Sequence, residues 1–254
     1  MLICFVKLTW LGGLIVSNEE LSNLELVIFD LDGTLIDSNG IHNELDVEMV
    51  RALGEDKSSE EILKERDKFL RSNSDGDIYL NYCEYLKAKY NSDLSKEEIL
   101  TIRRKLSNHL LKKVKLKPYA AEIVKWLKSS NIKLALATVS RKADLDVYIN
   151  ENEYIKSKCN LKDYFDYIIT KDDVILKKPN PEVYNKIIEK FKINDLSKCV
   201  VIEDSLSGVC AAKNANLRVI AIYDKYSDKD RDKINELADY TVDNFEKLMN
   251  TLNK

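Results

Sequence analysis

The chain has 254 residues, 44% hydrophobic and 33% charged, with 40 Lys and Arg against 43 Asp and Glu for a formal charge of -3. That composition suits a globular protein burying a core in one large or two smaller domains, and three prolines and seven glycines exclude linker-rich or low-complexity stretches. With no strongly basic stretch, there is no electrostatic case for a nucleic-acid partner.

Residues 1–16, MLICFVKLTWLGGLIV, are apolar. Lys7 interrupts the run, the following SNEEL is not a signal-cleavage site, and the run is short for a membrane span. No membrane association is expected, and a true start near Val16 or Ser17 is an alternative. Residues 1–24 are therefore set apart as an N-terminal extension of uncertain status. A buried strand is predicted over 26–29. Helical periodicity then dominates 41–53, 59–70, 78–90 and 96–113, the last opened by the capping box Ser95-x-x-Glu98. Tyr79, Tyr82, Tyr85 and Tyr90 read as packing for this helical region, and Arg103, Arg104, His109, Lys112 and Lys113 as an exposed face. From 118 onward, strands predicted over 133–137, 167–169, 199–202 and 218–222 alternate with helices over 120–129, 181–191 and 205–214. Such alternation implies right-handed crossovers and a mostly parallel sheet. The expected class is α/β, with a core from 25–40 and 116–254 and an all-helical subdomain, 41–115, inserted after the first strand.

The cysteines are Cys4, Cys83, Cys159, Cys199 and Cys210. Their odd number and the lack of a C-x-x-C pair argue against a disulfide framework or zinc site and favour a reducing, cytoplasmic setting.

The first strand ends in Asp30-Leu31-Asp32-Gly33. Ligands of open α/β sheets bind beyond the carboxyl ends of strands. Two acids at one such end repel and need a cation, and an oxygen-rich site suits Mg²⁺. Asp-Gly is also a plain turn signal, but that leaves Asp30, an acid closing an apolar strand, unexplained. Three later strands end similarly. Thr138 offers a hydroxyl to a phosphate oxygen, Glu203 and Asp204 offer metal ligands, and Lys178 offers an ammonium to offset phosphoryl charge. Each has a structural alternative: a strand-end hydroxyl, a helix cap at Asp204-Ser205, a solvated lysine. Those alternatives would have to hold together at successive strand ends.

The segments DLDGTLIDS (30–38), LALATVS (134–140), KKPNPEVY (177–184) and VIEDSLSG (201–208) resemble, in order, the four motifs of the haloacid dehalogenase superfamily. The resemblance covers about 25–250 and implies a Rossmann-like core with a mobile helical cap. It also implies an Mg²⁺-dependent phosphotransferase: Asp30 as nucleophile forming an aspartyl-phosphate, Asp32 as general acid and base, and Thr138 and Lys178 orienting the transferring group. The metal would be held by Asp30, the Asp32 carbonyl and Asp204, with Glu203 assisting directly or through water. The superfamily's dehalogenases lack the second acid and its phosphonate hydrolases usually carry a small residue there, so Asp32 favours transfer from oxygen.

His42 matches a histidine found in β-phosphoglucomutases and related sugar phosphatases, and Ser140 and Arg141 are similar to a mutase loop that holds a second phosphate. The mutases' cap arginine has no counterpart in LGEDKSS around Gly54, although Arg66 and Arg71 are candidates without a motif. The expected activity is therefore hydrolysis of a small phosphorylated metabolite, without an obligate protein partner. A mutase is the alternative, and a catalytically silent binding module, requiring loss of the motif acids or lysine, is the second.

Overall fold

The computed structural model describes residues 23–72 and 78–252. The apolar run 1–16 and Cys4 lie outside them. The strands are β1 (Leu26–Phe29), β2 (Lys133–Ala137), β3 (Tyr167–Ile169), β4 (Cys199–Glu203), β5 (Arg218–Ile222) and β6 (Tyr240–Val242). The helices are α1 (Ile41–Ala52), α2 (Ser59–Ser72), α3 (Ile78–Lys89), α4 (Lys96–Leu111), α5 (Ala120–Ser129), α6 (Lys142–Asn150), α7 (Glu153–Cys159), α8 (Leu161–Tyr164), α9 (Glu182–Phe191), α10 (Leu206–Asn214), α11 (Arg231–Leu237) and α12 (Phe245–Leu252). The described residues form two compact units: 23–35, 117–139 and 164–252, then 36–72, 78–116 and 140–163.

The first unit holds one parallel sheet ordered β3-β2-β1-β4-β5-β6. β1 is central, and its four residues are all buried, as expected of a strand covered on both faces. Leu26 and Ile28 join Cys199, Val201 and Val219 against Val183, Tyr184 and Ile187 of α9 and the small residues of α10. Val27 lies with Val200, Ile202 and Ile220 against Ile123 and Leu127 of α5 and Leu248 of α12. The Phe29 ring meets Phe165 edge-on at 5.9 Å. Alternation along β1 thus divides one apolar run between two layers of helices.

The second unit is helical. α1 buries Ile41, Leu45, Met49 and Val50, and the expected capping box opens α4, with Ser95 N donating to Glu98 Oε2 at 2.7 Å and Glu98 N to Ser95 Oγ at 3.2 Å. Phe69, Tyr82 and Tyr85 pack ring on ring within this unit. Where the sequence suggests a single insertion over 41–115, the packing groups 140–163 with it. The reason is specific: α6 packs on α4, and the buried Asn152 amide donates to the carbonyls of Leu111 and Val114 at 2.9 and 2.8 Å. Its oxygen also accepts from Ile155 N at 2.9 Å, capping α7.

Arg103 departs from the expected exposed face. It is only 9% exposed, it stacks at 4.6 Å on the Tyr79 ring, and its guanidinium lies 3.8 Å from buried Asp46. Arg66 is spent on Asn43 and Asp46 at 2.7 and 3.1 Å. No helix among the described residues is long and apolar enough to cross a membrane. Cys83, Cys159, Cys199 and Cys210 are free thiols, and burial pushes that of Cys199 up to about 12.

Candidate active site

β1, β2 and β4 run parallel, so their carboxyl ends open at one edge of the sheet. Asp30 leaves β1 there, its N–H donating to the Ile202 carbonyl at 2.9 Å. The chain then turns through Gly33, whose φ of 85° is a conformation open to glycine without steric cost. Thr138 leaves β2 and is buried, its hydroxyl donating to Asp32 Oδ2 at 3.1 Å. β4 runs one residue further than its apolar pattern predicts, so Glu203 is a strand residue with no exposed surface. Asp204 and Ser205 then divide the work that the sequence leaves ambiguous. Ser205 caps α10, accepting from Gly208 N at 3.1 Å; Asp204 instead accepts from the Thr34 hydroxyl at 2.7 Å.

Lys178 joins these groups. Its ammonium donates to Asp30 Oδ1 at 2.7 Å, Glu203 Oε1 at 2.6 Å and the Ala137 carbonyl at 3.0 Å. Burial alone would favour the neutral amine, but Asp30 and Glu203 outweigh it and hold the ammonium well above its ordinary range. Burial, then the charge of Glu203, pushes the Asp30 carboxyl well up against the pull of Lys178. Asp204 is raised to about 7, again by burial first and Glu203 second.

Asp30, Glu203 and Asp204 each present a carboxylate oxygen within 4.8 Å of the others. Three carboxylates share one bonding ammonium, which pairs with Asp30 and Glu203, and this excess of acid fits a divalent cation bound by oxygen. Asp32 is outside this trio; its carboxylate faces Thr138.

Asp30, Asp32, Thr138, Lys178, Glu203 and Asp204 all belong to the sheet unit, whereas His42, Ser140 and Arg141 belong to the helical one. His42 is exposed, and the Arg141 guanidinium grips Asp144 through two hydrogen bonds of 2.9 and 2.7 Å. Three residues of this constellation carry no predicted role: Thr34, Tyr184 and Gly208. All lie inside the quoted motifs, which was the signal available; Thr34 and Tyr184 meet partners 170 and 19 residues away, in a different motif.

The family model for haloacid dehalogenase-like hydrolases matches residues 27–222. The chain belongs to this family. Among curated haloacid dehalogenase-like relatives, a phosphorylated carbohydrates phosphatase of Thermotoga maritima is 30% identical over 197 residues, 78% of this chain and 84% of its own. Hexitol phosphatase B of Escherichia coli K12 is 26% identical, covering 77% and 82% of the two chains. Among solved structures, CbbY from Rhodobacter sphaeroides in complex with phosphate superimposes with a TM-score of 0.65 at 25% identity, covering 91% of this chain and 100% of that one.

Proposed function

We propose that this haloacid dehalogenase-like hydrolase is an Mg²⁺-dependent phosphatase of small phosphorylated carbohydrates or similar monoesters, acting through an aspartyl-phosphate on Asp30. The observation that carries the reading is the buried Lys178 ammonium bridging Asp30 and Glu203 beside Asp204. The phosphatase names of the relatives support the substrate class, and the free thiols fit a reducing cytosol.

In the first half-reaction an Asp30 carboxylate oxygen attacks phosphorus in line, the bond to the ester oxygen breaks, and Asp32 gives that oxygen a proton. In the second, Asp32 takes a proton from the water that attacks the aspartyl-phosphate, which returns Asp30 as a carboxylate and releases inorganic phosphate. Lys178 and the Thr138 hydroxyl orient and neutralise the phosphoryl oxygens. Asp30, Asp204 and the Asp32 carbonyl are the proposed metal ligands, with Glu203 completing the charge. Bound Mg²⁺ would offset the acid cluster and the charge on the transferring group. His42, Ser140 and Arg141 are proposed substrate contacts, to be read as KM effects on substitution.

Phosphate release from a panel of sugar and polyol phosphates, with Mg²⁺ and after chelation, tests the reading. Turnover should need the metal and vanish in Asp30→Asn, a swap that keeps volume but removes the nucleophile. Persistent activity in that variant excludes the covalent route. Isomerisation of a hexose phosphate, seen when glucose-1,6-bisphosphate is added, would instead identify a mutase.

A further inference from the structure

Tyr184 stands on the first turn of α9, six residues after Lys178, and is fully buried. The reaction proposed above gives it no task, yet it touches the charged cluster twice. Its hydroxyl donates to Glu203 Oε1 at 3.2 Å. Its ring lies 5.1 Å from Lys178 Nζ, within cation–π range.

A lysine ammonium is a point charge on a flexible stem, so its position depends on what surrounds it. Lys178 has three N–H groups for three acceptors: Asp30, Glu203 and the Ala137 carbonyl. Of these, Glu203 is the one that other side chains hold in turn. Oε1 accepts from Lys178 and Tyr184; Oε2 accepts from Asp204 N at 3.0 Å, Ser205 N at 3.1 Å and Ser205 Oγ at 3.1 Å. A carboxylate has about four lone-pair sites, and five donors converge on them, two at Oε1 and three at Oε2. The carboxylate also rests where residue 208 has no side chain: a Cβ there would come within 1.6 Å of Oε1. Packing alone would be served by phenylalanine, so the hydroxyl is what marks Tyr184 out.

We propose that Tyr184 is a positioning residue for phosphoryl transfer: its hydroxyl fixes Glu203 over Gly208, and Glu203 with the tyrosine ring fixes the Lys178 ammonium on Asp30. The proposal rests on the roles assigned above to Asp30 and Lys178.

Tyr184→Phe keeps the ring and the volume and removes only the hydroxyl. Its kcat should fall about five- to tenfold with KM within about twofold, alongside a modest fall in melting temperature, since one lost buried hydrogen bond to a charged group is felt in the stability of the fold as well as in the rate. Tyr184→Leu, lacking the ring as well, should lose more kcat. In ¹⁵N spectra of lysine ammonium groups, the Lys178 signal, identified by its absence in Lys178→Met, should broaden through faster exchange in Tyr184→Phe. Unchanged kcat in Tyr184→Phe overturns the proposal, as does a rate loss in Tyr184→Leu that merely follows its fall in melting temperature. Failure of the nucleophile assignment shows separately, as turnover retained in Asp30→Asn, and the ammonium signal still reports on Tyr184 in that case.

Discussion

Thr34 and Gly208 show how single positions set the acids at the sheet edge. Thr34 is buried and donates to Asp204 Oδ1 across 170 residues of sequence. Thr34→Val is nearly isosteric but removes that donor, and a lost bond to a charged acceptor costs about 1.5–3 kcal/mol. Denaturant unfolding should show that loss, and an Mg²⁺ titration should show weaker binding; unchanged values in both would leave Thr34 without a role at Asp204. Gly208→Ala places a methyl inside the Glu203 carboxylate, and such overpacking costs about 1–3 kcal/mol. Because the displaced group is the partner of Lys178, kcat should fall along with the melting temperature. A variant that is less stable yet fully active would show that Glu203 can move without consequence.

At the scale of elements, the loop before α9 is held by Glu182, which accepts from Ile175 N at 3.0 Å and Leu176 N at 2.7 Å. Those two N–H groups, followed by Lys186, lower its carboxyl from 4.5 to about 2. A depressed carboxyl stabilises the fold above its unfolded value, and the contribution is lost as pH falls through the folded one. Glu182→Gln should therefore melt below the wild type at pH 7, with the difference shrinking as pH falls from 4.5 and gone only below about 2. A difference that does not change with pH would point to packing. Asn152 performs the corresponding task in the helical unit, satisfying two carbonyls and one N–H from a buried position. Asn152→Ala strands those groups and should cost about 2–4 kcal/mol in chemical denaturation.

For the whole molecule, three separate stretches of chain assemble the sheet unit, and the site they create sets three carboxylates against one bonding ammonium. A ligand that binds only the folded state stabilises it by mass action, by about 2.7 kcal/mol at a hundred times its dissociation constant. Mg²⁺ should accordingly raise the melting temperature of the wild type and much less that of Asp204→Asn. An equal shift in both would place the bound ion elsewhere.

Local chemistry in the chain was enough to specify the central strands, the helices over 41–111, and the acids, hydroxyl and lysine that end β1, β2 and β4 or precede α9. A four- or five-residue apolar run closed by a charged group is visible without knowing what it packs against. β6 is three residues long and only partly buried, too short for a period to declare itself, and the helices between 142 and 164 carry weak apolar stripes. Their place in the helical unit follows from Asn152 reaching Leu111 and Val114. The pairings of Thr34 with Asp204 and Tyr184 with Glu203 likewise exist because strand order brings distant residues to one edge. Periodicity identifies an element, but it says nothing about which neighbour the element meets, and the tertiary structure alone decided which side chains hold the acids and Lys178 in place.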